Sequence, residues 1–420
     1  MAISTDSLST HSASQAVAWV SKTALGIVGN DVAPGADNTF LSRFIKAIHP
    51  SLAAGVDLDA MNSKAIKTLE RSLTKLAADG PNVIHLYDFV RKTIMSATTD
   101  SVFGPLNPMK DANTIAAWLK FEQKIPLLSL GILPKWIAKE GLEARESLVK
   151  AFDNYLAANG QDQASGYIQR RIGFFFQEGI PAEDVSRFEV GGLIALNSNT
   201  IPMAFWLVYH IFSDANVLED CRGEVSQAVQ KHQDDTCTIN LDWIKNSCPI
   251  LHSTFSEVFR AHGIGLVPRR ALEDHLLDDR YLLKKGGTVF IPYRVHHHDP
   301  SNWGDNESEF YHKRFLKHAG AKRHNPAALR GFGNGAHLCP GRHFASTEIL
   351  LFTTMMILRF DASPVEGQWP QIPVERSSQA ASLDQPDHDL EVELRPRTDV
   401  GQQQWTVDFS GSDKPMKMLT

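Results

Sequence analysis

One run of the 420-residue chain gathers residue types that can do chemistry: Phe332-Gly333-Asn334-Gly335-Ala336-His337-Leu338-Cys339-Pro340-Gly341-Arg342. It reads as a glycine-rich loop with a single cysteine at its exit. Behind it Ala345, Ile349, Phe352 and Met356 recur as one buried face of a helix. Pro340 and Gly341 stand at the start of that helix, where the N–H a proline lacks has no partner to lose. Cys339 is therefore expected at a helix N-terminus, whose free amides and positive dipole end lower a thiol pKa. Gly333, Gly335 and Gly341 remove the Cβ atoms that would hold the loop away from a flat macrocycle. An iron porphyrin takes such a thiolate as an axial ligand, with Phe332 beside the sulfur to keep water out. A thiolate ligand favours O–O cleavage. A buried structural cysteine stays open as an alternative at this point. So does a zinc site from His337, Cys339 and His343, though zinc ordinarily wants a second ligand pair and the sequence shows none at recognisable spacing.

At these residues the chain resembles the haem-thiolate family, the cytochromes P450. The family signature Phe-x-x-Gly-x-Arg/His-x-Cys-x-Gly is met at Phe332, Gly335, His337, Cys339 and Gly341. The resemblance implies a fold that is mainly α with minor β. It implies heme b (iron protoporphyrin IX) between a central helix and the cysteine loop, with Cys339 as the axial ligand of the iron. Arg269 falls where the family places one haem-propionate partner and His337 where it places a second, most often Arg. Histidine is the weaker partner, being only partly charged near neutral pH.

The central helix is expected in Val190–Ser213, which contains no Asp, Glu, Lys or Arg. By length it could cross a membrane, but Gly191, Gly192, Asn197, Ser198, Asn199, Thr200 and Pro202 interrupt it. A buried helix of roughly 36 Å suits it better. Pro202 leaves the Ser198 carbonyl without its helical partner and predicts a kink at the polar cluster. Family members carry an acid–alcohol pair at such a kink, and the matching positions here are Asn199 and Thr200. The alcohol is present and the acid is replaced by an amide, which puts the proton route in question. Thr200 bonding back to a helix carbonyl is the plainer alternative.

Glu257 and Arg260 share a helix face three residues apart. The resemblance makes them a structural clamp with Arg314, fixing the loop beneath the haem. "YLLKKGGTVFIPYRV" reads as a hairpin bent at Lys-Gly-Gly. The run His296-His297-His298-Asp299 invites a metal reading, but a polar strand end with one buried histidine fits its position better. Leu58–Ala78 and Val83–Phe103 read as helices, closed by Asp79-Gly80-Pro81 and by Gly104-Pro105.

Composition bounds the rest. With 43% hydrophobic and 21% charged residues this is an ordinary globular chain, and a net charge of −6 gives no reason to expect nucleic acid. Four cysteines without CxxC spacing argue for a reducing compartment and against a disulfide framework. The expected organisation is a tail and partial B–C region at 1–37, one haem-binding domain over 38–409, and a disordered tail at 410–420. "IHPSL", "TTDSVFGPLNP", "GILPKW" and "NTIPMAFW" are similar to the branch of sterol 7α/12α-hydroxylases, prostacyclin synthase and fungal relatives. Members sit on the cytosolic face of the endoplasmic reticulum by an anchor and a proline-rich hinge. Neither is seen in this sequence, so the N-terminal fifth of the usual fold is expected to be missing. The resemblance implies a monooxygenase that inserts one oxygen atom from O2 into a hydrophobic sterol-, terpenoid- or alkaloid-like molecule. Electrons come from NADPH through a separate reductase. A peroxide isomerase and a truncated, non-catalytic haem-binding chain are the alternatives.

Overall fold

The computed structural model describes residues 8–9, 21–27, 40–131, 136–316, 325, 327–333, 338–378, 381–398 and 403–410. Gly335 and His337 lie outside these residues, as do 411–420 and most of 1–37.

Apolar spacing builds the first helices. After the short β1 (Leu8–Ser9) come α1 (Phe40–Leu52) and α2 (Val56–Ala78). The latter buries Leu58, Met61, Ala65, Leu69 and Leu73 as one stripe. The helix expected over Val83–Phe103 divides. Its first residues form β2 (Asn82–His85), with alternating exposure, and α3 (Leu86–Phe103) starts only after them. The β-branched pair Val83-Ile84 suits a sheet edge, and a strand from the far end of the chain pairs with it. Next is α4 (Ala112–Ser129), whose N-cap Asp111 accepts from the Thr114 N–H at 2.8 Å. Helices α5 (Lys139–Ala157) and α6 (Gly166–Gln177) follow.

The central helix forms in two pieces, α7 (Ala182–Asn197) and α8 (Thr200–Phe212), separated by a turn at Ser198-Asn199. Pro202 has no N–H for the Ser198 carbonyl, and the ladder resumes with Met203 N–H donating to the Asn199 carbonyl at 3.2 Å. The expected kink is thus a break in the hydrogen-bond ladder, with Ser198 and Asn199 themselves still in the right-handed helical region. The helix also begins earlier than Val190, because its first turns carry the buried Asp184 and Glu189. Helix α8 is buried on nearly every side and packs on α3.

The chain continues through α9 (Ala215–Ser226), β3 (Val229–Lys231), β4 (Thr236–Asn240), α10 (Leu241–Asn246) and α11 (Pro249–His262). Four strands follow: β5 (Leu266–Ala271), β6 (His275–Leu277), β7 (Tyr281–Leu283) and β8 (Thr288–Pro292). Here the expected hairpin does not form. Strand β7 turns back onto β6 through Asp278 and Asp279, at φ 56° and 49°, while β8 pairs with β5. Aspartate tolerates positive φ, so this pair made the turn, and the Lys-Gly-Gly bend carries the chain from one sheet to another. Short helices α12 (Tyr293–His297) and α13 (Pro300–Trp303) lead toward the cysteine loop, and α14 (Arg342–Arg359) leaves it. Helix α14 packs against α2 and α8 at the centre of the molecule. Last come β9 (Phe360–Pro364), β10 (Glu391–Pro396), which pairs with both β9 and β2, and β11 (Gln404–Asp408), parallel to β4. Among the described residues no helix is long and apolar enough to cross a membrane.

Candidate active site

A cavity of about 460 Å³ lies between the α7–α8 break and the cysteine loop. Apolar side chains such as Ile48, Leu196, Met203, Phe344 and Leu383 form most of its wall. Asn199, Thr200, Phe332, Cys339 and Gly341, all singled out in the sequence, line it too.

The loop is held as a short closed turn, with Cys339 N–H donating to the Phe332 carbonyl at 2.8 Å. Gly333 has φ +86°, which favours glycine, and a Cβ at Gly331 would stand 2.8 Å from the Phe259 ring. Gly341 is under no such demand from the protein, since a Cβ there meets Cys339 Sγ at an ordinary 3.9 Å. Phe332 packs edge-on against Phe259 with ring centroids 4.8 Å apart. Cys339 stands open to the cavity, two residues before the α14 N-cap Gly341, while Cys221, Cys237 and Cys248 are buried elsewhere. The expected lowering of its thiol pKa is overturned. Burial pushes the thiol up and outweighs the Gly341 and Arg342 amides and the Arg342 charge, which pull the other way.

At the break, Asn199 Oδ1 accepts from the Ser382 N–H at 2.7 Å, and Thr200 is nearly buried at 8% exposure. Asn199 therefore faces the cavity with its acceptor already occupied. Ser198 Oγ, in the same turn, donates to Glu122 Oε1 at 2.6 Å.

Arg269 does not reach the cavity wall. It belongs with Arg330, and both act on Tyr293, which does line the cavity. Burial first and then the Arg330 charge push the Arg269 pKa down. Arg330 Nε is buried without a hydrogen-bond partner, and no described carboxylate pairs with either guanidinium.

Residues 194–392 match the family model described as Cytochrome P450. The cytochrome P450 monooxygenase nodJ of Hypoxylon pulicicidum is 32% identical over 384 residues, an alignment that covers 89% of this chain and 74% of that protein. The chain belongs to the cytochrome P450 family. Cholesterol 7-alpha-monooxygenase of Cricetulus griseus is 27% identical, with 74% of this chain and 66% of that one covered. The solved structure of retinoic acid bound cyanobacterial CYP120A1 superposes with a TM-score of 0.68 at 19% identity, covering 90% of this chain and 82% of that one, and shows the shared fold. This P450 is accordingly a monooxygenase, an oxidoreductase whose cofactor is haem.

The residues present in this P450 fit that group. A cationic pair with an orphaned buried donor suits two propionates, and an open thiol on a closed turn suits the iron. Beneath them, Glu257, Arg260 and Arg314 form a buried ion cluster. Arg260 binds Glu257 in fork fashion, Nε to Oε2 and Nη2 to Oε1, both at 2.8 Å. Arg314 Nε reaches both carboxylate oxygens at 3.1 Å, and the Tyr311 N–H adds another bond to Oε1 at 2.9 Å. The first two residues of the histidine run end a short helix and not a strand, and His297 among them is fully buried. Burial first, then the neighbouring charges of His298 and Arg260, push its pKa down to about 3, so its neutral Nε2 accepts from the Arg330 N–H at 3.1 Å. Sequence reasoning missed Arg330 and Glu122. Arg330 lay two residues before the motif phenylalanine, and the need for two cations near the loop could have found it.

Proposed function

We propose that this P450 oxygenates a hydrophobic small molecule of sterol-, terpenoid- or alkaloid-like character, with electrons passed from NADPH by a separate reductase. Heme b is the form of the cofactor, Cys339 its axial ligand, and Arg269 and Arg330 the partners of its propionates. The supporting observation is the cavity, which joins an apolar wall to the open thiol of Cys339 on one side and to the Asn199-Thr200 break on the other. When bound, the haem supplies the activation of dioxygen. The chain supplies the rest. Its apolar wall desolvates the substrate. Phe332 shields the sulfur. Thr200 offers a hydroxyl that can accept and hand on a proton, and Asn199, with Oδ1 held by Ser382, has only amide N–H groups to give.

The test supplies cholesterol and retinoic acid, the compounds named with its relatives, together with a panel of terpenoids, under labelled O2 with and without NADPH and a reductase. Label in the product only when electrons are supplied is the expected result. Product formed without electrons and without label would turn the assignment toward a peroxide isomerase.

A further inference from the structure

Monooxygenation obeys the balance RH + O2 + 2 electrons + 2 protons → ROH + H2O, and the reductase provides only the electrons. The cavity must therefore be fed protons. Yet among the described residues that line it there is no aspartate, glutamate or histidine. Thr200 can relay a proton but has none to give up, and Asn199 is an amide.

A carboxyl reaches the helix break from another helix. Glu122 on α4 is bonded to Ser198 Oγ at 2.6 Å, and Ser198 directly precedes Asn199 in the open turn between α7 and α8. We propose that Glu122, acting through Ser198, is the residue that supplies protons to this cavity. The proposal rests on the monooxygenase reading above. Glu122 gives its proton to Ser198 Oγ as Ser198 releases its own into the break, and the resulting carboxylate reloads from solvent, so the pair ends each cycle unchanged.

Three features of the site suit this use. Glu122 is half-buried as a residue, with its carboxyl bonded at the break, so it stands between the surface of α4 and the break. Burial pushes its pKa up, against the Ser198 hydrogen bond and the Arg91 charge, which keeps a proton available closer to neutrality than a free carboxylic acid would. The charge that acts on it is that of Arg91 on α3, and Glu122 in turn raises the pKa of Tyr87 on the same helix. The residue before this turn also carries an unmet acceptor that a water would satisfy. Asn197 Oδ1 is fully buried with no partner among the described residues, while its Nδ2 donates to the Leu193 carbonyl.

The experiment compares the parent with Glu122→Gln, Glu122→Asp and Ser198→Ala as haem-loaded enzymes with reductase, using the probe compound that the labelled-oxygen assay shows to be turned over. In E122Q, product per NADPH should fall about tenfold while NADPH consumption continues and peroxide accumulates. E122D should restore coupling to within about twofold, and S198A should lose it. Parent coupling should decline as pH rises through the carboxyl's pKa, and E122Q should be flat. In parallel, infrared titration of the haem-free proteins from about pH 5 to 9 should show a protonated carboxyl band in the parent that E122Q lacks and whose midpoint S198A raises. If no probe is oxygenated by the parent, the functional reading has failed, and the infrared arm still decides whether Glu122 exchanges a proton in this range. Should E122Q not fold, E122D and S198A carry the comparison. Coupling in E122Q or S198A equal to the parent, or no titrating band assignable to Glu122, overturns the proposal.

Discussion

Two arginine pairs meet at His297 and differ in what neutralises them. Arg260 donates to the His297 carbonyl at 2.9 Å, and the His297 ring accepts from the Arg330 N–H at 3.1 Å. On one side Arg260 and Arg314 share the Glu257 carboxylate, and their remaining donors reach carbonyls such as those of Glu309 and Asn306. On the other, Arg269 and Arg330 face each other's charge with no described carboxylate, and a buried Nε is left over. The first pair is buried, whereas Arg269 and Arg330 are half-buried, with only the Arg330 Nε shut away. The closed one holds the loop in shape. On the function proposed above, the open one is completed by an anion, which is how a binding site would differ from a brace.

The sharpest way to break this contrast is Glu257→Ala. It leaves two buried guanidiniums facing each other with no counter-charge, at a cost of about 3–5 kcal/mol. That is a large share of a domain's whole stability. The variant is expected to be mostly insoluble or unable to keep haem, as read by soluble yield and thermal unfolding. A parent-like melting curve would show that the cluster braces nothing.

Glu348 sharpens the same contrast, being a fully buried carboxyl with no cation paired to it among the described residues. Both its oxygens bond the Thr98 hydroxyl, at 2.9 and 2.8 Å, and burial pushes its pKa up to about 8 despite that bond. The sign follows from linkage. The folded state holds this proton more tightly than the unfolded one, so its stabilisation is complete below the ordinary 4.5 and is lost as pH rises toward about 8. Melting temperature should fall across that window in the parent. Glu348→Gln should remove this slope, which corresponds to several kcal/mol at about 1.4 kcal/mol per pKa unit. Identical slopes in the two proteins would show that Glu348 is ionised in place.

A smaller effect on the fold is expected from the open pair. Arg330→Ala removes a cation that nothing described holds, so the haem-free protein should change by less than about 1 kcal/mol. Haem retention should fall on the order of tenfold, the worth of one charged hydrogen bond. Thermal unfolding without haem, set beside the rate of haem loss to an acceptor, separates the two. A variant that loses stability and haem together would place Arg330 with the clamp.

How far the sequence carried can be judged at these same residues. Helix α2 and the position of Glu257 and Arg260 on one helix were legible, because each depends on spacing within a short window, while the interior space before Cys339 was expected from the family resemblance. The Lys-Gly-Gly stretch was misread as a hairpin because it offered a strong local bend, while strand pairing was decided by the Asp278-Asp279 turn before it and by the distant strand β5. Glu122 and Ser198 are 76 positions apart, and Thr98 and Glu348 are 250 apart. Nothing in either neighbourhood announces the other. The direction of the Cys339 shift was misjudged for a related reason: the helix-end amides are local and visible, whereas the atoms that crowd water away from a side chain facing an interior cavity come from the whole fold.

The smallest effect on stability belongs to the residue with the largest proposed role. Cys339 faces the cavity and is not packed into the core, so Cys339→Ala should leave the haem-free melting temperature nearly unchanged. Cys221 is the control. It is fully buried, its thiol lies 3.6 Å from Thr254 Oγ1, and burial pushes its pKa up to about 12. Removing that sulfur leaves a void worth roughly 1 kcal/mol. The two variants should therefore give opposite patterns. C221A should melt lower and keep the red-shifted absorption band of the reduced, carbon-monoxide-bound protein, since its thiol has no path to the cavity. C339A should melt like the parent and lose that band. A band that survives in C339A, with haem still bound, removes Cys339 as the ligand and with it the reading of the open arginine pair as its partner across the same group.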